Sequence, residues 1–241
     1  MAHRTGQRTL PPQTPGLVSG KRHWRRWIAA GVAGLVVLLV LAAGLFIKLQ
    51  PTPAPLVLPA GGASGPAGPL DGRWEVTAGS LAGFRVQETA LGISNDTVGR
   101  TSAVTGAVIV SGGRLTSAAV RVDLTAVRFN GKPQPQFATS LDTRRYPEAT
   151  FILGQPVTLG SAFASGATIR VTALGRLELN GTSRPVTVTV SGRRDGTALQ
   201  VAGSIPVTFS TWDITGPSGY GFLASLANHG VAEFLLILHR G

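Results

Sequence analysis

The segment from Ile169 to Val190 is a β-hairpin that fixes its own register, and it restricts the fold of this chain more than any other stretch. Ile169, Val171, Ala173, Gly175, Leu177 and Leu179 alternate with Arg170, Thr172, Leu174, Arg176 and Glu178, the period of a strand with one buried face. Asn180-Gly181 follows, the pair preferred in a two-residue type I′ turn because both residues accept positive φ. Val186, Val188 and Val190 then alternate with Pro185, Thr187 and Thr189. A two-residue turn pairs Leu179 with Thr182, so Gly175 faces Val186, Ala173 faces Val188 and Val171 faces Val190. The apolar residues of both strands fall on one side, and a one-residue slip would mix the faces. Long antiparallel strands of this kind need a sheet or a barrel to bury that side.

The same alternation recurs along residues 71–241. It runs through Trp74 and Val76, Phe84 and Val86, and Val104, Gly106, Val108 and Val110. Val120, Val122 and Leu124 continue it, then Phe151 and Leu153, and Leu199 through Phe209. Val231 to His239 is apolar on both faces except at Glu233. Strands of this number, spaced by turn residues, indicate an all-β antiparallel sandwich or closed barrel. Between Pro133 and Pro147 the pattern changes. Phe137 and Leu141 stand four apart there, as on a short amphipathic helix. A barrel of about eight strands is either filled by its side chains or holds one small ligand. Small inward residues (Gly106, Ala173, Gly175 and Gly203) favour open volume, while large partners across the interior would fill it.

The N-terminal third is a different material. Ile28 to Ile47 carries no charge and is long enough to span a hydrocarbon core roughly 30 Å thick. Lys21, Arg22, Arg25 and Arg26 precede it and only Lys48 follows closely, which orients the N-terminus to the cytoplasm. The expected organisation is a basic disordered cytoplasmic tail (1–27), a transmembrane helix (28–49), a Pro/Gly-rich linker (50–70) and the β-domain (71–241). The rival reading of the apolar run, a cleaved signal peptide, calls for a shorter apolar core. The expected location is the cell membrane, single-pass, with the β-domain extracytoplasmic. The net charge of +11 is concentrated at this end: residues 71–241 hold 15 basic against 11 acidic side chains, a net +4. The arginines of the β-domain are scattered among strands rather than clustered with aromatic residues, which argues against nucleic acid as a partner. The absence of cysteine removes disulfides, thiolate metal sites and cysteine nucleophiles.

Three segments carry a resemblance to a known family. Leu141-Asp142-Thr143 followed by Tyr146-Pro147-Glu148-Ala149-Thr150-Phe151 is one, and Gly175 to Val186, reading GRLELNGTSRPV, is the second. Gly72-Arg73-Trp74 with Ser80 and Phe84 is the third. Together they resemble the YceI-like family of exported lipocalin-like barrels that bind polyisoprenoids or other long-chain lipids. Where many members carry Asp-x-His-Leu before the Tyr-Pro element, this chain reads Phe137-Ala138-Thr139-Ser140-Leu141. The resemblance implies an antiparallel lipocalin-like β-barrel of about eight strands with a short helix. It also implies a binding protein rather than an enzyme, with a polyisoprenoid or other lipid as its bound molecule and no further cofactor.

Inward apolar residues are the candidate ligand contacts, since such pockets are mostly apolar with few placed polar groups. They are Phe84, Val86, Val122, Phe137, Leu141, Phe151, Val171, Val188, Phe209 and Trp212. Core packing without ligand contact is the competing role for each. Trp212 and Tyr220 flank a turn-rich loop and are expected either at a rim or packed onto the barrel. Glu233, the one charge of the last strand, needs a partner, and Arg176 and Arg121 are the expected sources. The four histidines show no metal-ligand spacing, and no metal is expected. Ser225, Asp213 and His229 form a catalytic trio only on paper. The alternative to a lipid carrier is a filled, ligand-free barrel acting as a structural or protein-interaction module. Glycines at exposed strand positions would also permit edge pairing into a homodimer.

Overall fold

The structure, a computed structural model, describes residues 38, 42, 45, 52–60, 65–90, 92–216 and 224–241. The N-terminal tail, all but three residues of the expected transmembrane segment and the loop holding Tyr220 lie outside these residues. Among the described residues no helix is long and apolar enough to cross a membrane. The chain divides into two units, Met1–Phe46 and Ile47–Gly241, and the β-fold belongs to the second.

Its strands are β1 (Gly72–Val76), β2 (Leu81–Ala90), β3 (Ile93–Thr101), β4 (Val104–Ser111) and β5 (Arg114–Asp123). Then come β6 (Glu148–Leu153), β7 (Val157–Thr158), β8 (Ile169–Leu179), β9 (Thr182–Asp195), β10 (Ala198–Thr208), β11 (Ala224–Leu226) and β12 (His229–Arg240). Two short helices interrupt them, α1 (Pro135–Ser140) and α2 (Gly160–Ala164), and a 3-10 turn spans Phe209–Trp212. The strands pair in the order β1-β4-β5-β6-β8-β9-β10-β12, and β12 pairs back onto β1. The ring therefore closes with eight strands, which removes the open edges of a flat sheet. The hairpin β2-β3 attaches to the same edge of β12 as β1, beside Val231–Leu235. An Arg100–Arg128 bridge joins β3 to the loop after β5.

The opening hairpin has the pairing its sequence dictates. Leu179 pairs with Thr182, Gly175 with Val186, Ala173 with Val188 and Val171 with Val190. Asn180 and Gly181 have φ of 51° and 70°, as a type I′ turn requires. The apolar alternation of the other expected strands also appears in the burial of β4, β5, β8 and β10, and α1 forms where Phe137 and Leu141 mark it.

Three features depart from the sequence reading. β3 reads Ile-Ser-Asn-Asp-Thr-Val-Gly-Arg-Thr and shows no apolar stripe. It forms because β2 and the Arg128 bridge supply its hydrogen bonds. The second is α2, which the strand alternation does not announce, although Leu159 and Phe163 stand four apart. It places Phe163, 3% exposed, across one end of the barrel.

The third departure is the linker, expected as a tether. Residues 52–60 and 65–70 make hydrogen bonds to the barrel. Pro53 O accepts from Arg85 at 2.7 Å, and Ala54 O accepts from Arg100. Leu56 N–H donates to Glu233 Oε2 at 3.3 Å. Nearer the barrel, Arg194, 5% exposed, donates to Ala67 O, Gly68 O and, on α2, Ala164 O. One buried guanidinium thus holds the linker and the helix at that end together.

Candidate ligand cavity

The buried apolar residues form two clusters instead of one core. Trp74, Val110, Phe163, Leu199, Leu236 and Leu238 belong to the first, toward α2. Leu124, Leu141, Leu177, Leu179, Val188, Ile205, Val207 and Trp212 form the second, toward the Asn180–Gly181 turn. A cavity of about 580 Å³ is lined by members of both. That volume lies within the range of small-molecule sites, roughly 300–1,000 Å³. Inward strand side chains, among them Val120, Val122, Phe151, Val171, Val190 and Val201, are only partly buried, although their strands are paired on both sides. They keep accessible surface because they face a void.

Of the small residues that favour open volume, Ala173 lines the void, whereas Gly175 and Gly203 do not supply it. A Cβ on Gly175 would collide with the Phe151 ring and Ile152 O, and one on Gly203 would lie 2.6 Å from the Phe234 ring. Phe151 and Phe234 lie over these two glycines, so the missing side-chain volume is already occupied. The remaining space lies where Val and Ala face one another across the interior.

Nine of the ten candidate contacts line the cavity. Phe84 and Val86 come from β2, Val122 from β5, Phe137 and Leu141 from α1 and its C-terminal end, and Phe151 from β6. Val171 and Val188 come from the hairpin, and Phe209 from the 3-10 turn. Trp212 does not line it. Phe209 continues the inward set of Ile205 and Val207, while the 3-10 turn that follows brings Trp212, 4% exposed, into the second cluster. Asn180 Nδ2 donates to Trp212 O at 3.0 Å and to Asp213 O at 3.1 Å, tying that turn to the hairpin tip. Trp212 is therefore a core residue and not a rim.

Toward the hairpin end the lining turns aromatic and then polar. Phe84 and Phe137 stack with centroids 4.7 Å apart, and Phe129 meets them edge-on at 5.3 and 5.5 Å. Beyond this trio stand Glu88, Thr97, Gln134, Gln136 and Ser140. Gln134 and Gln136 are exposed, so the cavity reaches solvent here, whereas Phe163 covers the opposite end. Phe129, Phe163, Phe234 and Glu88 were missed in the sequence. Leu159 and Phe163 had a usable signal in their helical spacing, while Phe129 sits in a loop with none.

Glu233 is 5% exposed and ion-paired, but not with Arg176 or Arg121 as expected. Its Oε1 lies 2.9 Å from Arg100 and 3.7 Å from Arg85, and Arg85 also meets Asp96 at 3.0 Å. The expected partners sit on β8 and β5, whereas β12 pairs with β2, which brings Arg85 and, through β3, Arg100. The Ser225, Asp213 and His229 trio does not assemble: His229 bonds Asn228 and Asp213 accepts from Thr182. Among the described residues no group of three or more His, Asp or Glu could hold a metal.

Comparison with known proteins agrees with this architecture. No curated protein matches the chain. Among solved structures, the fold is similar to a polyisoprenoid binding domain from Saccharophagus degradans implicated in plant cell wall breakdown. The two are 16% identical with a TM-score of 0.55, over 70% of this chain and 98% of that one. BcnA from Burkholderia cenocepacia is 19% identical over 64% of this chain and 95% of its own, with a TM-score of 0.48. At such identities the likeness concerns the fold. The model of the YceI-like domain matches residues 74–231, from β1 into β12, and the chain belongs to the YceI-like family.

Proposed function

We propose that the barrel is a lipid carrier that holds a long apolar chain, an isoprenoid or other lipid, in its interior without covalent chemistry. The observation that supports this reading is the hollow interior: an apolar cavity of about 580 Å³, covered at one end by Phe163 and open past a polar rim at the other. Burial of a chain there is favourable by about 0.8 kcal/mol per CH₂, before the entropy of ordering the chain is subtracted. The solved relative from Saccharophagus degradans is described as polyisoprenoid binding, which is consistent with this ligand class. In the same reading, residues 28–49 anchor the protein in the cell membrane with the barrel outside the cytoplasm, beside the bilayer that supplies the ligand.

Purifying the full-length chain, extracting it with organic solvent and identifying the extracted lipid tests the reading. One lipid per chain supports it, and a lipid-free protein that also fails to bind added isoprenoid refutes it. A second reading, an interaction module, draws on Ile109, Ile152 and Leu174, which point outward from β4, β6 and β8 and are 40%, 54% and 45% exposed. A homodimer would use β3, which has one partner strand and a single further bridge.

A further inference from the structure

The lining of the cavity is charged with one sign only. Among the described residues it includes two carboxylates, Glu88 and Glu233, and no Lys, Arg or His. Glu233 is neutralised by Arg100 and Arg85. Glu88 is not. It stands on the inward face of β2, two residues beyond Val86, and Oε2 accepts a hydrogen bond of 2.8 Å from Thr97 Oγ1, with no cation beside it. The positions between 52 and 241 that are not described, 61–64, 91 and 217–223, carry no charged residue in the sequence, so they add no cation to the rim. Lys132, in the loop before α1, is outside the lining.

An amphiphile that enters tail first leaves its head at this rim. A phosphate or carboxylate head would then sit beside the Glu88 carboxylate in a partly apolar site without a counter-ion, a like-charge juxtaposition that is costly. A hydroxyl or an ammonium donates to Glu88, and the carboxamides of Gln134 and Gln136 can donate to or accept from the same head.

We infer that the cavity selects amphiphiles whose head is a hydrogen-bond donor without negative charge, an alcohol or an amine, and discriminates against phosphate and carboxylate heads through Glu88. This rests on the lipid-carrier reading and narrows its ligand class. The test uses the full-length protein in nanodiscs and three probes that share one tail: geranylgeraniol, geranylgeranylamine and geranylgeranyl monophosphate. Each competes with radiolabelled geranylgeraniol. The alcohol and the amine are expected to bind at least about tenfold more tightly than the monophosphate. Glu88→Gln should narrow that gap, and Glu88→Arg should reverse it, with thermal melts confirming that both variants fold. A monophosphate that binds as tightly as the alcohol, or a ranking unchanged in both folded variants, overturns the headgroup inference and leaves the carrier reading standing. Failure of all three probes to bind overturns both.

Discussion

Gly175 and Glu233 show how single positions set this barrel. Gly175 lacks a side chain because the Phe151 ring occupies the space where one would stand. Gly175→Val should therefore destabilise the protein by about 1–3 kcal/mol through overpacking, measured as a lower urea midpoint at unchanged m-value. Glu233 binds two guanidiniums and one backbone N–H while 5% exposed. Glu233→Ala strips Arg100 of its carboxylate and leaves Arg85 with Asp96 alone, and should cost about 3 kcal/mol in the same measurement. The need for a partner at Glu233 is legible in the sequence, since a lone charge in an apolar strand must be compensated. Which arginine supplies it is not legible, because the answer depends on β12 lying beside β2, a pairing between strands far apart in the chain. Most candidate contacts were legible because strand alternation sets the inward face. Trp212 takes the second of its two expected places, packed onto the barrel, because the 3-10 turn carries it into the second cluster.

Elements with their own pattern could be read, and those formed by tertiary contacts could not. The β8–β9 hairpin carries its turn, its faces and its register in its residues. β3 carries Asn95, Thr97, Gly99 and Thr101 where a stripe would be expected, and it is a strand because β2 provides its bonds. The linker is similar. Its Pro and Gly content describes a free tether, yet Pro53, Ala54 and Leu56 are held by Arg85, Arg100 and Glu233. Replacing Arg85 and Arg100 together with Ala should free that strap, and limited proteolysis of the full-length chain should then cut within residues 52–60 several-fold faster than in the wild type. An unchanged cleavage rate would show that the strap does not depend on these bonds. At the α2 end, Phe163 covers the barrel. Phe163→Ala should cost about 3–5 kcal/mol by chemical denaturation.

At the scale of the whole molecule, eight strands close into a ring and leave a choice between a filled and a hollow interior. Sequence alternation cannot decide this, because the same Val and Ala residues suit both. The balance depends on which aromatic rings reach across to which glycines, and here Phe151 and Phe234 lie over Gly175 and Gly203 and line the cavity without filling it. That space is where the ligand is placed, so filling it is the decisive perturbation. Val171 lines it from near the start of β8 and is only partly buried. Affinity for geranylgeraniol, measured on full-length Val171→Trp beside the wild type with both melting temperatures recorded, should fall by at least about tenfold while the variant stays folded. A folded Val171→Trp variant that binds the probe as tightly as the wild type would contradict a ligand held inside the barrel.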